Sequence, residues 1–176
     1  MTNWMTKPCL SVWITTSDGK DENMIDLKPT KCNLCGGKVV FTSNAVIYGR
    51  KYGSGYCYLC SSCGAFVGTH ISHPEDALGI LADEKMRKAK IRCHDLFDIQ
   101  WKDKGAESRR YRNALYHWLA KRLKIPVEEC HFGYFDLDML EEAYVVLESV
   151  KDMEMSLNAR GRARFGDKED ISKLQD

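Results

Sequence analysis

The sequence predicts an α+β chain in which a small cysteine-bearing β-hairpin module packs with a C-terminal module of three helices. Three observations predict it. Two C-x-x-C-G turns, Cys32-Asn33-Leu34-Cys35-Gly36 and Cys60-Ser61-Ser62-Cys63-Gly64, bracket a segment rich in β-branched and aromatic residues. From Ala82 the apolar residues recur instead at steps of three and four, the period of an amphipathic helix. Caps and breakers then cut that stretch into three pieces.

Taken in order, residues 1–30 form an N-terminal extension with one β-rich run, Leu10 to Thr16, ended by the turn signal Ser17-Asp18-Gly19. Residues 31–73 are the cysteine module. Lys38 to Thr42 and Ala45 to Tyr48 read as strands separated by Ser43-Asn44, and the three glycines between Gly49 and Gly55 read as a flexible loop. Gly55 to Leu59 returns as a strand into the second turn, and Ala65 to Gly68 leaves it as another.

Residues 74–151 are the helical module. Met86, Ala89, Cys93, Phe97 and Trp101 line one face of a first helix, with Asp83 as its N-cap. A second helix starts near Ser108. Its stripe is Tyr111, Ala114, Leu115, Trp118, Leu119 and Leu123, and Pro126 stops it. A third follows Asp136 with Leu140, Ala143, Tyr144, Leu147 and Val150. Trp101 and Trp118 are expected to be buried core. Residues 152–176, where the apolar pattern fades into mixed charge, are expected to be a charged, flexible tail.

The cysteine turns carry the strongest chemical signal. Two cysteines at this spacing fit one tight turn with both sulfurs on the same side, and the following glycine takes positive φ without a steric cost. Two such turns place four thiolates at the corners of a tetrahedron, the arrangement of a structural zinc site. Twenty-four residues separate Cys35 from Cys60, a gap that a β-hairpin fills. The expected ligands of one structural Zn²⁺ are Cys32, Cys35, Cys60 and Cys63. Cys57-Tyr58-Leu59-Cys60 offers an overlapping C-x-x-C, but Ser61 follows it rather than glycine. Cys57 is therefore expected to be a strand residue, and His70, a possible substitute ligand, a polar residue at a strand end. Cys9, Cys57, Cys93 and Cys130 stand singly, as small apolar fillers in a reducing cytosol.

Composition excludes several classes. No run of 18 apolar residues exists, and the N-terminus lacks a basic start with an apolar segment behind it. The expectation is a cytoplasmic protein with no membrane partner. The net charge of +1 hides a segregation. From Lys31 to Pro74 there are four basic residues (Lys31, Lys38, Arg50, Lys51) and no acidic one. Lys85 to Lys124 holds thirteen basic and four acidic residues, whereas Val127 to Met155 holds one basic and nine acidic. The basic side suits a polyanion. Equally, the two helical stretches suit each other within the fold.

With these residues in hand, the chain resembles a family of small zinc-finger-containing proteins found mainly in bacteriophages and prophages, whose biochemical function is not established. The resemblance runs roughly from Cys32 to Leu140. It rests on Tyr48-Gly49-Arg50-Lys51-Tyr52-Gly53 between the turns, on Cys60-x-x-Cys63-x-Ala65-Phe66-Val67-Gly68-x-His70, and on Leu78-Gly79-Ile80-Leu81-Ala82. It continues through His94-x-x-Phe97-Asp98-x-x-Trp101, Trp118-Leu119-Ala120 and His131-Phe132-Gly133-Tyr134-Phe135. It implies a phage-type setting, hence the host cytoplasm, and supports Cys60 and Cys63 as ligands. It implies no substrate.

Three functions compete on the sequence. The first is a nucleic-acid-binding zinc ribbon, with Lys38, Tyr48, Arg50, Lys51 and Tyr52 as the contact surface: cations hold phosphates and aromatic faces stack on unpaired bases. The second is a docking module for a host or phage protein, inhibition included, using the acidic third helix. The third is a nuclease-type enzyme, for which His94 and Asp98, spaced i, i+4, are the polar pair. No H-E-x-x-H, Gly-rich phosphate loop or G-x-S-x-G supports it. A helix-turn-helix reading of Leu115 to Pro126 fails because an acidic, Gly-broken segment stands where the recognition helix belongs.

Overall fold

The structure is a computed structural model and describes residues 26–166. The expected N-terminal strand at Leu10 to Thr16, its turn and Cys9 lie outside the described residues. The architecture is α+β. Strands β1 (Val39–Ser43), β2 (Tyr56–Cys60) and β3 (Phe66–Gly68) form one antiparallel sheet with β2 in the centre. Helices α2 (Glu84–Ile99), α3 (Ser108–Leu123) and α4 (Leu137–Glu148) follow. A second, two-stranded sheet of β4 (Glu154–Leu157) and β5 (Ala163–Gly166) closes the described chain.

The sheet register pairs Val39 with Cys60, Phe41 with Tyr58, and Tyr58 with Val67. Directly paired residues share a face, so Val39, Tyr58, Cys60 and Val67 point together. They form a core with Cys32, Ala65, Ala77 and Leu81. The segment that supplies Ala77 and Leu81 wraps back over the sheet. The Tyr58 hydroxyl donates to the Glu75 carbonyl at 2.6 Å, and Thr69 and Phe66 bridge to Ala77 and Ala82. Since Asp83 caps α2 by accepting the Met86 N–H at 2.8 Å, β3 is tied by backbone to the residue just ahead of the helix.

One expected strand is not a strand. Ala45–Tyr48 is a single helical turn, α1, closed by Gly49 at φ 71° with its N–H on the Ala45 carbonyl at 2.8 Å. β-propensity lost to a local turn: the Asn44 carbonyl collects the N–H groups of Ile47 and Tyr48.

The helical core is built from Cys93 and Phe97 of α2, Leu115 and Leu119 of α3, Leu140 and Leu147 of α4, and Phe132 and Phe135 from the α3–α4 connection. Cys93 donates from Sγ to the Leu140 carbonyl at 3.3 Å, and buried Gln100 donates to the Val150 carbonyl at 3.0 Å. Burial pushes the Cys93 thiol up to about 11 and the Cys130 thiol to about 12, so both are inert fillers at neutral pH. Asp136 caps α4 through the Met139 N–H. The acidic α4 lies against the basic α2, where Arg92 pairs with Glu141 at 2.8 Å and covers the Tyr144 ring at 4.7 Å.

Two expectations are corrected here. Trp101 and Trp118 are half-buried rather than core, each packed on the edge of the cluster. Within residues 152–166 the chain is a hairpin, not a frayed tail. Asn158 Oδ1 accepts the N–H groups of Arg160 and Arg162 at 2.9 and 3.0 Å, and Gly161 turns at φ 69°. Met155 of β4 is buried in the helical core, and Phe165 of β5 packs on Trp118 at 4.6 Å.

The segment that wraps back over the sheet meets the α3–α4 connection backbone to backbone at Gly79 and Gly133. A Cβ on Gly79 would lie 2.1 Å from the Gly133 carbonyl oxygen. That oxygen accepts the Ile80 N–H and the Lys90 ammonium, both at 3.0 Å. Two separate runs of the family resemblance, Leu78 to Ala82 and His131 to Phe135, are thus one joint.

Candidate metal centre

The two C-x-x-C-G turns fold alike. In the first, the Cys32 N–H donates to the Gly37 carbonyl and the Gly36 N–H to the Cys32 carbonyl, both at 2.9 Å. In the second, Cys60 and Gly64 make the same pair of bonds, to Ala65 and Cys60, at 2.8 and 3.1 Å. Gly36 and Gly64 sit at φ 71° and 74°, which a side chain would resist. This conformation turns backbone N–H groups onto the sulfurs. Leu34 donates to Cys32 Sγ and Gly37 to Cys35 Sγ, both at 3.4 Å.

The sheet brings the turns together, because Val39 leaving the first is paired with Cys60 entering the second. The sulfurs of Cys32, Cys35, Cys60 and Cys63 all lie within 4.8 Å of one another. Cys32–Cys63 is 3.8 Å and Cys35–Cys60 is 3.5 Å. A tetrahedral zinc with bonds of about 2.3 Å requires sulfurs about 3.8 Å apart, so the donor set and its spacing fit. Cys32 and Cys60 are buried while Cys35 and Cys63 reach the surface. The N–H of Cys63, helped by that of Ser62, holds the Cys60 thiol down at about 6, whereas burial raises Cys32. A dication held by the four sulfurs would supply positive charge that favours thiolate ligands. With four sulfur ligands the site is closed, and the ion's contribution is to join the two turns rather than to activate water.

Cys57 and His70 stay outside this group. Cys57 is buried in β2 opposite Thr42 and Gly68, and burial raises its thiol. His70 is exposed, with its N–H on the Asp76 carbonyl. Among the described residues no other cluster of histidines, cysteines or carboxylates has metal-binding spacing.

The other candidate residues fall in two places. Tyr48, Arg50, Lys51 and Tyr52 lie on α1 and the loop behind it, and Lys38 sits where the first turn enters β1; all are exposed. Tyr48 and Tyr52 have their rings 6.1 Å apart, and Lys51 lies 5.7 Å from the Tyr56 ring. His94 and Asp98 are on α2, but they do not bond to each other. Asp98 accepts the Trp101 indole N–H at 3.0 Å and pairs with Lys102 at 2.8 Å, while the His94 ring stands edge-on to Phe132 at 4.8 Å. Sequence reasoning missed Asn44 and Arg87, and it counted Phe66 only among the aromatics of the hairpin. Arg87 lies over the Phe66 ring at 4.3 Å. Asn44 carried a usable signal, a polar side chain at the head of a Gly-rich loop.

Among the described residues no helix is long and apolar enough to cross a membrane. No curated protein and no solved structure matches the chain. A family model described as a zinc-finger-containing domain matches residues 28–150, which hold all four clustered cysteines, and the chain belongs to that family.

Proposed function

We propose that this zinc-binding protein is a phage-type accessory factor that binds nucleic acid through the surface of its ribbon around Tyr48, Arg50, Lys51 and Tyr52. One observation carries the reading. Two tyrosines and two cations stand exposed on a loop within a stretch, Lys31 to Pro74, that contains no carboxylate side chain. Tyr52 is 69% exposed and Tyr48 53%, so the rings are available rather than spent on the hairpin core. Neither Arg50 nor Lys51 makes an ion pair among the described residues. Lys38 extends the same charge toward the metal centre. The zinc ion's role is to fix the turns from which β1 and β2 present this surface.

The pairing of Arg92 with Glu141 weighs against the acidic α4 as a free docking face, since part of its charge is already answered within the fold. The test is titration of the zinc-loaded chain against labelled DNA and RNA, single- and double-stranded, at several salt concentrations. Affinity should fall steeply with salt as counterions are released. Charge reversal at Arg50 and Lys51 should weaken binding without moving the melting temperature. Failure to bind any of the four nucleic acids at micromolar protein would sink the reading and leave protein docking as the better account.

A further inference from the structure

The ring contacts do not stop at the loop: they run on from exposed Tyr52 and Tyr48 to half-buried Phe66. Tyr52 meets Tyr48 at 6.1 Å, Tyr48 meets Phe66 in a T-shaped pair at 6.0 Å, and the Arg87 guanidinium covers Phe66 at 4.3 Å. These four side chains come from the loop, from α1, from β3 and from the first turn of α2. Resting on the nucleic-acid reading above, we infer that they form a continuous stacking track for one unpaired nucleic-acid strand, running from the ribbon onto the helical module.

The geometry selects a single strand over a duplex. Bases in a duplex are stacked at a rise of about 3.4 Å and hide their faces from a protein. Rings about 6 Å apart and tilted against each other at 59° and 86° cannot continue such a stack. They suit bases splayed out one by one, as aromatic platforms for single strands do. Charge agrees. Arg87 makes no ion pair among the described residues, and one of its nitrogens donates to the Ala82 carbonyl at 2.7 Å. That bond and the Phe66 face hold the guanidinium in place, and its other donors can meet a phosphate.

The backbone beneath the track is also anchored. Tyr52 is fixed through its backbone by Asn44, and Phe66 through its bridge to Ala82. A strand would meet a loop whose main chain is already ordered and lose less affinity to ordering of the protein.

The test uses the zinc-loaded full chain and fluorescence anisotropy with labelled oligodeoxythymidine and oligouridine, against duplex DNA and duplex RNA of equal length. Single strands should bind at least tenfold tighter than duplexes. Tyr52→Ala should weaken single-strand binding about 5- to 150-fold, the range for loss of one base–ring stack. Phe66→Leu, which keeps apolar bulk but removes the ring, should act in the same direction, with zinc content and the melt checking its fold. Arg87→Gln should weaken binding and lower the salt slope by about 0.7, the single-strand value for one phosphate contact. Equal affinity for duplexes would overturn the track while leaving nucleic-acid binding intact. So would single-strand affinity unchanged in Tyr52→Ala but lost on charge reversal of Arg50 and Lys51. Absence of binding to every probe would overturn both.

Discussion

Asn44 holds the main chain of Tyr52 by both of its polar groups: its side-chain nitrogen donates to the Tyr52 carbonyl at 2.6 Å, and its Oδ1 accepts the Tyr52 N–H at 3.1 Å. Asn44 is 4% exposed, whereas Tyr52 is among the more exposed large side chains of the protein. A buried amide thus presents an exposed ring. The loop from Gly49 to Gly55 is not slack, despite its three glycines. Ser54 and Thr69 share a further hydrogen bond at 2.6 Å, and Asn44 N–H donates to the Gly55 carbonyl.

Asn44→Ala leaves the Tyr52 carbonyl and N–H without these partners, so it should destabilise the protein by about 1–3 kcal/mol. The Tyr52 amide should lose hydrogen-exchange protection while the Val67 amide in the sheet keeps its own. Affinity for single strands should fall although no contacting ring is removed. Unchanged exchange at Tyr52 would show that the loop holds its shape without the amide.

The metal centre gives the second prediction. Cys→Ser at 32, 35, 60 or 63 removes one ligand of a closed site, and chelation removes the ion. Each should release zinc and melt the hairpin, because site binding energy is folding energy. Cys57→Ser should retain one zinc per chain, at a modest stability cost from placing a hydroxyl at a 1% exposed position. Metal analysis of the purified variants decides between these outcomes.

Legibility in the sequence followed the range of the interactions. The ligands were readable because each turn is complete within six residues. The starts of α2 and α4 were readable because Asp83 and Asp136 each bond a backbone N–H three residues on. What failed was non-local or masked by charge. Ala45–Tyr48 has strand composition, and its helical turn is closed by Gly49 at positive φ, at the head of a loop that Asn44 clasps at Tyr52. The β4–β5 hairpin carried its own signal, Asn158 and Gly161 between alternating apolar residues, but its arginines looked like a solvated tail. His94 and Asp98 had the spacing of a pair, yet a closer indole and lysine took the carboxylate.

The joint at Gly79 and Gly133 yields a steric prediction. A methyl on Gly79 would meet Gly133 backbone atoms at 2.1, 2.5 and 2.8 Å, and backbone cannot step aside as a side-chain tip can. Gly79→Ala should cost about 3 kcal/mol or more, at or beyond the upper end of overpacking. Gly105→Ala is the control. Its Cβ would meet nothing within 4 Å, and only φ +54° opposes it, worth about 1–2 kcal/mol. Equal melts for the two would mean that the joint relaxes.

Lys90 makes the same joint sensitive to alkali. Burial pushes its pKa down to about 8 from an ordinary value near 10.5. Below pH 8 folded and unfolded chains both hold the proton, and the cost of burying the charge is constant. Between about 8 and 10.5 the unfolded chain binds more protons than the folded one, so stability rises with pH. Subtracting the urea unfolding free energy of Lys90→Met from that of the native chain isolates this effect from the other titrating groups. The difference should climb across that window. A flat difference would mean that Lys90 keeps its proton through its bonds to the carbonyls of Gly133 and Ile80.

The last prediction concerns the hairpin at the end of the described chain. Trp118 contacts Phe165 at 4.6 Å and carries the Arg122 guanidinium over its ring at 5.4 Å, and it is half-buried. A fully buried tryptophan truncated to alanine costs about 3–5 kcal/mol, so partial exposure should bring Trp118→Ala nearer about 2 kcal/mol. Part of that belongs to the ring pair. Phe165→Ala, Trp118→Ala and the double variant form a cycle whose coupling should be about 0.5–1.5 kcal/mol, the range for aromatic pairs. Phe165→Ala should also speed exchange at the Ser156 amide, which lies in the hydrogen-bonded pair with Arg164 beside the lost ring. Zero coupling with unchanged exchange would detach β4 and β5 from the helices, restoring the free tail that the run of charges first suggested.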